Sequence, residues 1–502
     1  MAAQTTAGHT PRTYGNWVRP ASPGLLGLGS LGTAILLGGL VASVITVMVL
    51  GVLAGVGMFA VVGLLVLTVK TKDRHGKNVM NRGFARAGFW RARQQRATIY
   101  RSGPLGQGWG TAQLPGLAAQ TKLLEAETVS GQRFALVHTP STKHYTIVFG
   151  AEPDGSGLVD EEQIDQWVSG WSHWLTDLGD EPGLDAASVT VETAPDTGVR
   201  LNQEVEANID QSAPAFAQSV LREAVQRYPE GSAVTTVMVA LTFNANTRVG
   251  GKRRSHEEIA RDLATRIPHL ANGLVSSGAG AARPMTAQEL CEVIRTAYNP
   301  GVALTLHEAY AAGHEPELTW PEVGPVAAQS DWDSYRHDDA TSVTWSMTEA
   351  PRGLVQANIL ARLLAPHRDV ARKRVTLLYR PIDAARAAAM VESDLRTAEF
   401  LSSTSDKPTA RSVMVRRAAE ATAREEAAGA GLVNFGLLVT ATVAKRDGLP
   451  DAIAAVDNLG ATARLRLRPV YGSQDSAFAA ALPLGLVLRR HLKVPADISG
   501  RL

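Results

Sequence analysis

Leu25–Val69 reads LLGLGSLGTAILLGGLVASVITVMVLGVLAGVGMFAVVGLLVLTV, and the architecture turns on this stretch. It lies inside a longer run, Pro20 to Val69, without one charged residue. A single helix over it would reach about 67 Å at 1.5 Å per residue, roughly twice the ~30 Å hydrocarbon core of a bilayer. The length predicts two crossings packed back to back, with the turn near Ala42 to Thr46 or at Gly51. Glycines recur through the run at Gly24, Gly27, Gly29, Gly32, Gly38, Gly39, Gly51, Gly55, Gly57 and Gly63. Such small residues suit close helix approach in lipid. Two other readings fit an apolar amino-terminal run. A signal peptide has an apolar core of about 7–15 residues and a small-residue cleavage site, and this run is far longer. A buried helix pair of a soluble protein is the second.

The flanks are basic. Arg12 and Arg19 precede the run. Lys70, Lys72, Arg74, Lys77, Arg82, Arg86, Arg91, Arg93, Arg96 and Arg101 follow it, against the one acid Asp73. Cytoplasmic flanks carry the excess of Lys and Arg, so two crossings place both termini in the cytoplasm and the protein in the plasma membrane. Lys70, Lys72, Arg74, Lys77, Arg82 and Arg86 are the expected contacts with anionic headgroups. That position accounts for their charge, and direct nucleic-acid binding is not expected.

The whole chain, 502 residues with a net charge of +2, is long for one core. Its punctuation divides it into a cytoplasmic tail (1–24), the crossings (25–69), a basic connector (70–110), a first cytoplasmic α+β domain (111–310), a linker (311–336, with Pro316, Pro321 and Pro325) and a second α+β domain (337–502). β-Branched and alternating runs predict strands at Arg133–Thr139, His144–Phe149, Ala187–Thr193, Ser232–Thr242, Thr341–Met347, Arg374–Tyr379, Leu432–Val443 and Thr462–Pro469. Helical spacing marks Asp160–Leu178, Ala215–Tyr228, Glu257–Ala271, Thr286–Ala297, Asp383–Phe400, Ser412–Ala430 and Leu449–Gly460. Thr286 with Glu289 three later is a capping box. The order of elements repeats loosely in both halves. The fold class expected is α+β, with a ferredoxin-like unit in the second half.

Chemistry-bearing motifs are missing where they would be needed. Gly250-Gly251-Lys252 is followed by Arg253, not by the hydroxyl residue of a P-loop, and the spaced first glycine is absent. His256-Glu257-Glu258 has no second histidine at the helical offset. His138 and His144 flank a turn without a third ligand. His337-Asp338-Asp339, near Asp331 and Asp333, reads as a solvated acidic loop. Cys291, the only cysteine, sits in a helical stretch and reads as a buried thiol. No enzyme, cofactor or metal is expected. Trp167, Trp171 and Trp174 form a stripe that suits either core packing or an exposed docking face.

Several segments carry a resemblance. Pro195-Asp196-Thr197-Gly198, Tyr298-Asn299-Pro300, Arg424-Glu425-Glu426 with Gly431 to Thr442, and Gln474-Asp475-Ser476-Ala477-Phe478-Ala479-Ala480-Ala481-Leu482-Pro483-Leu484-Gly485 belong to it. The last resembles the end of the amino-terminal domain of TraC-like conjugation ATPases. The apolar run with its basic flank resembles the PrgI-like membrane subunit of the same type IV secretion machines. Together they look like an actinobacterial membrane family of conjugation-type loci. In those ATPases the Walker motifs would follow residue 485, and none does here. The resemblance therefore implies a non-enzymatic membrane scaffold that docks a separately encoded ATPase and other membrane subunits, as one member of a homo-oligomeric assembly. Phe478, Leu482 and Leu484, with the Trp stripe, are the candidate contacts. The layout is also similar to EccE, a membrane component of type VII secretion. Fold-level likeness of this kind is associational.

Overall fold

The chain, as a computed structural model, is described over residues 12–15, 17, 29–71, 79–103, 106, 112–153, 155, 157, 159–227, 232–245, 254–351, 353–403 and 410–491. Two units emerge from its contacts. One holds 97–382 and 431–487 with the residues up to Gly15, the other 16–96, 383–430 and the residues from Leu488.

The apolar run forms α1 (Gly29–Leu50) and α2 (Val52–Lys70), and the basic flank forms α3 (Val79–Gln94). Strands β1 (Ile99–Arg101), β2 (Lys122–Glu127), β3 (Arg133–Thr139) and β4 (His144–Glu152) lead to α4 (Glu161–Asp180) and β5 (Leu184–Pro195). A helix pair, α5 (Val199–Asn208) and α6 (Ala215–Arg227), joins β5 to β6 (Ala233–Asn244). Next come α7 (His256–Leu274), β7 (Ala281–Pro284), α8 (Ala287–Tyr298) and α9 (Val302–Ala311). The second half runs through β8 (Ala327–Ser330), β9 (Tyr335–His337), β10 (Ala340–Glu349), α10 (Ala361–Leu364) and β11 (Arg372–Pro381). A second helix pair, α11 (Ala384–Ser403) and α12 (Ala410–Ala427), joins β11 to β12 (Val433–Val443). The described elements end with α13 (Leu449–Thr462), β13 (Arg466–Pro469) and α14 (Gln474–Ala480). The class is mixed α+β.

Among the described residues, thirteen strands join one antiparallel sheet, ordered β1-β8-β9-β10-β12-β11-β5-β6-β4-β3-β2, with β13 on β10 and β7 on β4. The stretch expected as a linker, 311–336, carries β8 and the start of β9. The strands of the two expected domains meet directly where β5 pairs with β11. The reason is physical: β5, exposed only at Pro195, needs a partner for its second edge, and β11 supplies it.

The two halves repeat one connectivity. In the first, β4, β5, β6 and β7 lie in the spatial order β7-β4-β6-β5; in the second, β10, β11, β12 and β13 lie in the order β13-β10-β12-β11. In both, one strand edge is shared: β4 pairs β3 over its first residues and β7 over its last, and β10 does the same with β9 and β13. The echo reaches single residues. Arg283-Pro284 sits opposite Gly150 and Phe149, while Arg468-Pro469 sits opposite Ser346 and Trp345. Thr190 and Thr376 face each other at the junction of the halves.

Strand alternation sends apolar residues to both faces of this sheet. On one face, α4 and α7 cover Phe134, Leu136, Ile147, Phe149 and Leu241. On the same plan, Leu363 of α10 and α13 residues Ala452, Ala455, Val456 and Leu459 cover Val343, Trp345, Val375 and Val439. α8 and the segment from α14 to Leu486 cover the other face of the first half, over Val137, Val148, Met238 and Ala240. Serine and threonine caps open α7 and α8, each with a reciprocal Glu three residues on.

In the second unit, α1 breaks from α2 at Gly51, whose φ of 90° a side chain would resist. A Cβ on Gly39 would run into the Val62 methyls, and one on Gly55 into the Val47 methyl, so glycine sets how closely α1 and α2 approach. Ser43 and Thr46 donate to the carbonyls four residues back, 2.8 Å each, so neither hydroxyl needs an outside partner. α1 holds a stretch, Gly32–Leu50, long and apolar enough to cross a membrane, with only 6% of it buried within the protein. In the same unit α11 and α12 bury small side chains: Ala387, Val391 and Ala398 on one helix and Ala419 on the other.

Candidate functional site

The expected membrane-surface residues are divided by the structure. Lys70 closes α2, whereas Lys72, Arg74 and Lys77 lie outside the described residues. Arg82 and Arg86 are exposed on α3, one turn apart. α3 also exposes Phe84 and Trp90 at 65% and 64%. This pairing of arginines with aromatic rings suits the water–lipid boundary. The basic run with its Gly and Pro punctuation at Ser102-Gly103-Pro104 and Gly106-Gln107-Gly108 reads as a connector, and α3 (Val79–Gln94) lies inside it.

The tryptophan stripe is built inward from α4. Trp174 is buried and stacks on Trp171 at 4.8 Å between ring centroids. Trp171 meets Tyr379 of β11 edge-on at 5.7 Å. Gly273 and Gly278, on and just after α7, leave the room that Trp174 and Trp167 fill. Trp171 and Trp174 therefore join α4 to the sheet and to α7.

Phe478, Leu482 and Leu484 are also interior, each at most 1% exposed. Their segment crosses the buried face of the sheet as a strap, and the strands below present hydroxyls to it. Thr146 bonds Thr242 at 3.1 Å, Thr190 bonds Thr376 at 3.2 Å, Thr344 bonds Thr440 at 3.0 Å and Ser342 bonds Thr442 at 2.7 Å. All four pairs are cross-strand neighbours. Gln474 grips the Thr344 main chain at both ends, its Oε1 accepting at 2.8 Å and its Nε2 donating at 3.2 Å. Thr376 donates to the Ala481 carbonyl at 2.8 Å. Gly485, at φ 64°, passes so near Thr146 and Thr242 that a Cβ would collide with both hydroxyls. Sequence reasoning found this segment and missed the hydroxyl row, because period-2 threonines read as ordinary strand formers.

A buried ion cluster ties the halves together. Glu192 of β5 accepts from Arg374 Nε at 2.8 Å and Arg372 Nη1 at 2.6 Å, both from β11. Burial alone would push the Glu192 carboxyl up; the two guanidiniums overcome this and hold it below the usual range. Arg374 lies 5.5 Å from the Phe478 ring centre, and its Nη1 has no hydrogen-bond partner. Next to it, His337 is fully buried, not in a solvated loop. Its Nδ1 meets the Tyr298 carbonyl at 2.5 Å and its Nε2 the Ser342 hydroxyl at 2.8 Å. Burial pushes His337 down to about 4, so the ring is neutral. Lys373 donates its ammonium to the Ala365 carbonyl, and burial lowers it to about 8.

The remaining sequence candidates are separate. His138 stacks on Tyr145 at 4.5 Å and meets His256 edge-on at 4.7 Å, while Tyr145 bonds His256 at 2.5 Å. Burial, with the neighbouring His256 and Lys122, lowers His138 to about 4. His144 turns instead to Asp185, 2.9 Å away. Gly250-Gly251-Lys252 lies outside the described residues. Burial, with Glu292 and Glu322, raises Cys291 to about 12, which keeps it a thiol. Among the described residues no three of His, Cys, Asp and Glu converge as a metal-binding group. What the described geometry offers is surface: α1 and α2, the basic α3, and the two helix pairs that grow from the sheet.

A family model described as a domain of unknown function (DUF8461) matches residues 21–81, the stretch that holds α1 and α2 and reaches the start of α3. None of the curated proteins matches the chain.

Proposed function

We propose that this protein is a non-enzymatic scaffold anchored in the plasma membrane by two crossings, α1 and α2, with both termini in the cytoplasm. The observation that carries the reading is the paired apolar helices, whose lipid-sized surface is exposed. Leu40, Val44, Met48, Leu53, Phe59 and Leu64 are each at least half exposed, a surface that water would not tolerate over two helices. The apolar part of α2, Val52–Thr68, is shorter than the span in α1, about 26 Å at 1.5 Å per residue against a ~30 Å hydrocarbon core. The following arginines then meet the anionic cytoplasmic headgroups.

The resemblance to conjugation-type components supplies the rest of the proposal: a platform in a type IV-like secretion or DNA-transfer complex that docks a separate ATPase. Each half of the sheet is read as a ferredoxin-like unit, the two fused edge to edge, and a rigid double platform suits docking. Affinity capture from detergent-solubilised membranes, with mass spectrometry, tests this. Recovery of a conjugation-type P-loop ATPase supports it. Recovery of type VII components alone points to the EccE-like alternative and overturns it, and nucleotide hydrolysis by the purified protein removes the non-enzymatic reading.

A further inference from the structure

One arginine of the repeated plan has an acidic partner in the first half and none in the second. Arg283 of β7 sits opposite Gly150 and Arg468 of β13 opposite Ser346, and each is followed by proline. Six residues after Arg283 stands Glu289, whose carboxylate accepts from both outer nitrogens of the guanidinium, at 3.0 Å and 2.5 Å. This two-pronged fit is the geometry in which a guanidinium holds a carboxylate most strongly. The residue at the same offset from Arg468 is Gln474. It carries no charge, and both ends of its amide are taken by the Thr344 main chain.

Arg468 is left without a carboxylate. Among the described residues no hydrogen bond or ion pair reaches its guanidinium, although the residue is only 8% exposed and its Nε is fully enclosed. What it does touch is aromatic. The Tyr471 ring lies 5.1 Å from its Cζ, and Trp332 stacks on that ring at 5.8 Å with 18° between the planes. A ring face holds the charge in place and gives its N–H groups no lone pair to bond. A guanidinium withdrawn from water is costly unless an acceptor completes it. Ser346, Tyr471 and Trp332 are half-buried, so the position reaches the surface. As its cross-strand neighbour, Ser346 shares a face of the sheet with Arg468.

We infer that Arg468 is a binding site for a carboxylate from outside the sheet, either an acidic side chain of a docked polypeptide or a free small carboxylate. The guanidinium takes the two oxygens as Arg283 takes those of Glu289, the Ser346 hydroxyl is a further donor, and Tyr471 with Trp332 walls the site. The chemistry that the first half supplies from its own chain, the second half takes from a ligand. All of these residues belong to the unit that carries the sheet, so the site is independent of the membrane anchor.

The test uses the full chain in detergent, with the midpoint of thermal unfolding read by tryptophan fluorescence. Succinate and an acetylated, amidated Gly-Glu-Gly peptide are titrated to tens of millimolar, with chloride holding the ionic strength constant. Expected is a saturable rise in midpoint, as for any ligand that binds the folded chain alone. Arg468→Met abolishes it, and so does Ser346→Glu, which sets an internal carboxylate opposite the arginine; the exposed control Arg261→Met keeps it. A rise at lower concentration with the peptide than with succinate supports the site with a polypeptide source, and the reverse supports it with a small-molecule source. No rise in the unaltered chain, an equal rise in Arg468→Met, or a larger rise with inorganic phosphate overturns the carboxylate site. A second measurement needs no ligand. In chloride alone, Arg468→Met is expected to hold or raise the denaturant midpoint, because it removes an uncompensated charge. A fall beyond that of Arg261→Met overturns the reading of Arg468 as unpaired.

Discussion

The two halves of the sheet share a strand order and differ in what covers them. In the first half, α4 is 20 residues long and lays tryptophans on the sheet. Its counterpart in the second half is the four-residue α10 with the short turn before it. The second half instead holds the buried His337, Lys373 and Arg374, with Gln474 of the strap beside them. Both halves have an apolar core, and the second adds buried hydrogen bonds and ion pairs that must all be satisfied at once. A repeated backbone plan can be stabilised by quite different chemistry in each copy.

Breaking the ion cluster gives the largest expected effect. Glu192→Ala leaves Arg374 buried and uncompensated and is expected to cost about 3–5 kcal/mol, read as a lower denaturant midpoint by tryptophan fluorescence in detergent. A shift no larger than that of an exposed control such as Glu223→Ala would mean the halves are joined by strand pairing alone. The acid response comes next. His337 titrates near 4 when folded and 6.5 when unfolded, so the unfolded chain binds the extra proton between these values. Stability is full above pH 6.5 and falls as pH drops toward 4, by roughly 3 kcal/mol. His337→Gln should flatten that slope, and an unchanged slope would shift the acid sensitivity to His138 in the first half. Gln474→Ala is smaller, about 1–3 kcal/mol, because the Thr344 main chain keeps its strand but loses its buried partners. Smallest are Phe216→Ser and Met414→Ser, exposed on α6 and α12, each expected within about 0.5 kcal/mol by the same measurement. A larger loss at either position would mean that its ring or thioether packs as core.

Local pattern carried much of the element list and little of the assembly. Arg133–Thr139 and Leu432–Val443 alternate or branch clearly enough to be strands, and the Thr286 box opens α8. β8 and β9 were hidden because Ala327–Ser330 and Tyr335–His337 are short and lie in polar, proline-bearing sequence. β7 and β13 are four residues each, and only their shared Arg-Pro hints at a repeat. The β5–β11 pairing left no mark in sequence, since strands some 180 residues apart carry no local sign of each other. That junction made one sheet of two expected domains. Of the candidate contacts, the burial of Phe478, Leu482 and Leu484 follows from the strap, and helical or alternating period cannot tell such a segment from an exposed one.

The strap also sets a schedule. Gln474 leaves the ribosome some 400 residues after α1, which is roughly 20–80 s at 5–20 residues per second. Through that interval the earlier strands can pair while the hydroxyl row at the centre of the sheet has nothing over it. Closure of that face thus waits on synthesis of the strap, and a chain interrupted before it would present an open polar sheet face for proteolysis to recognise.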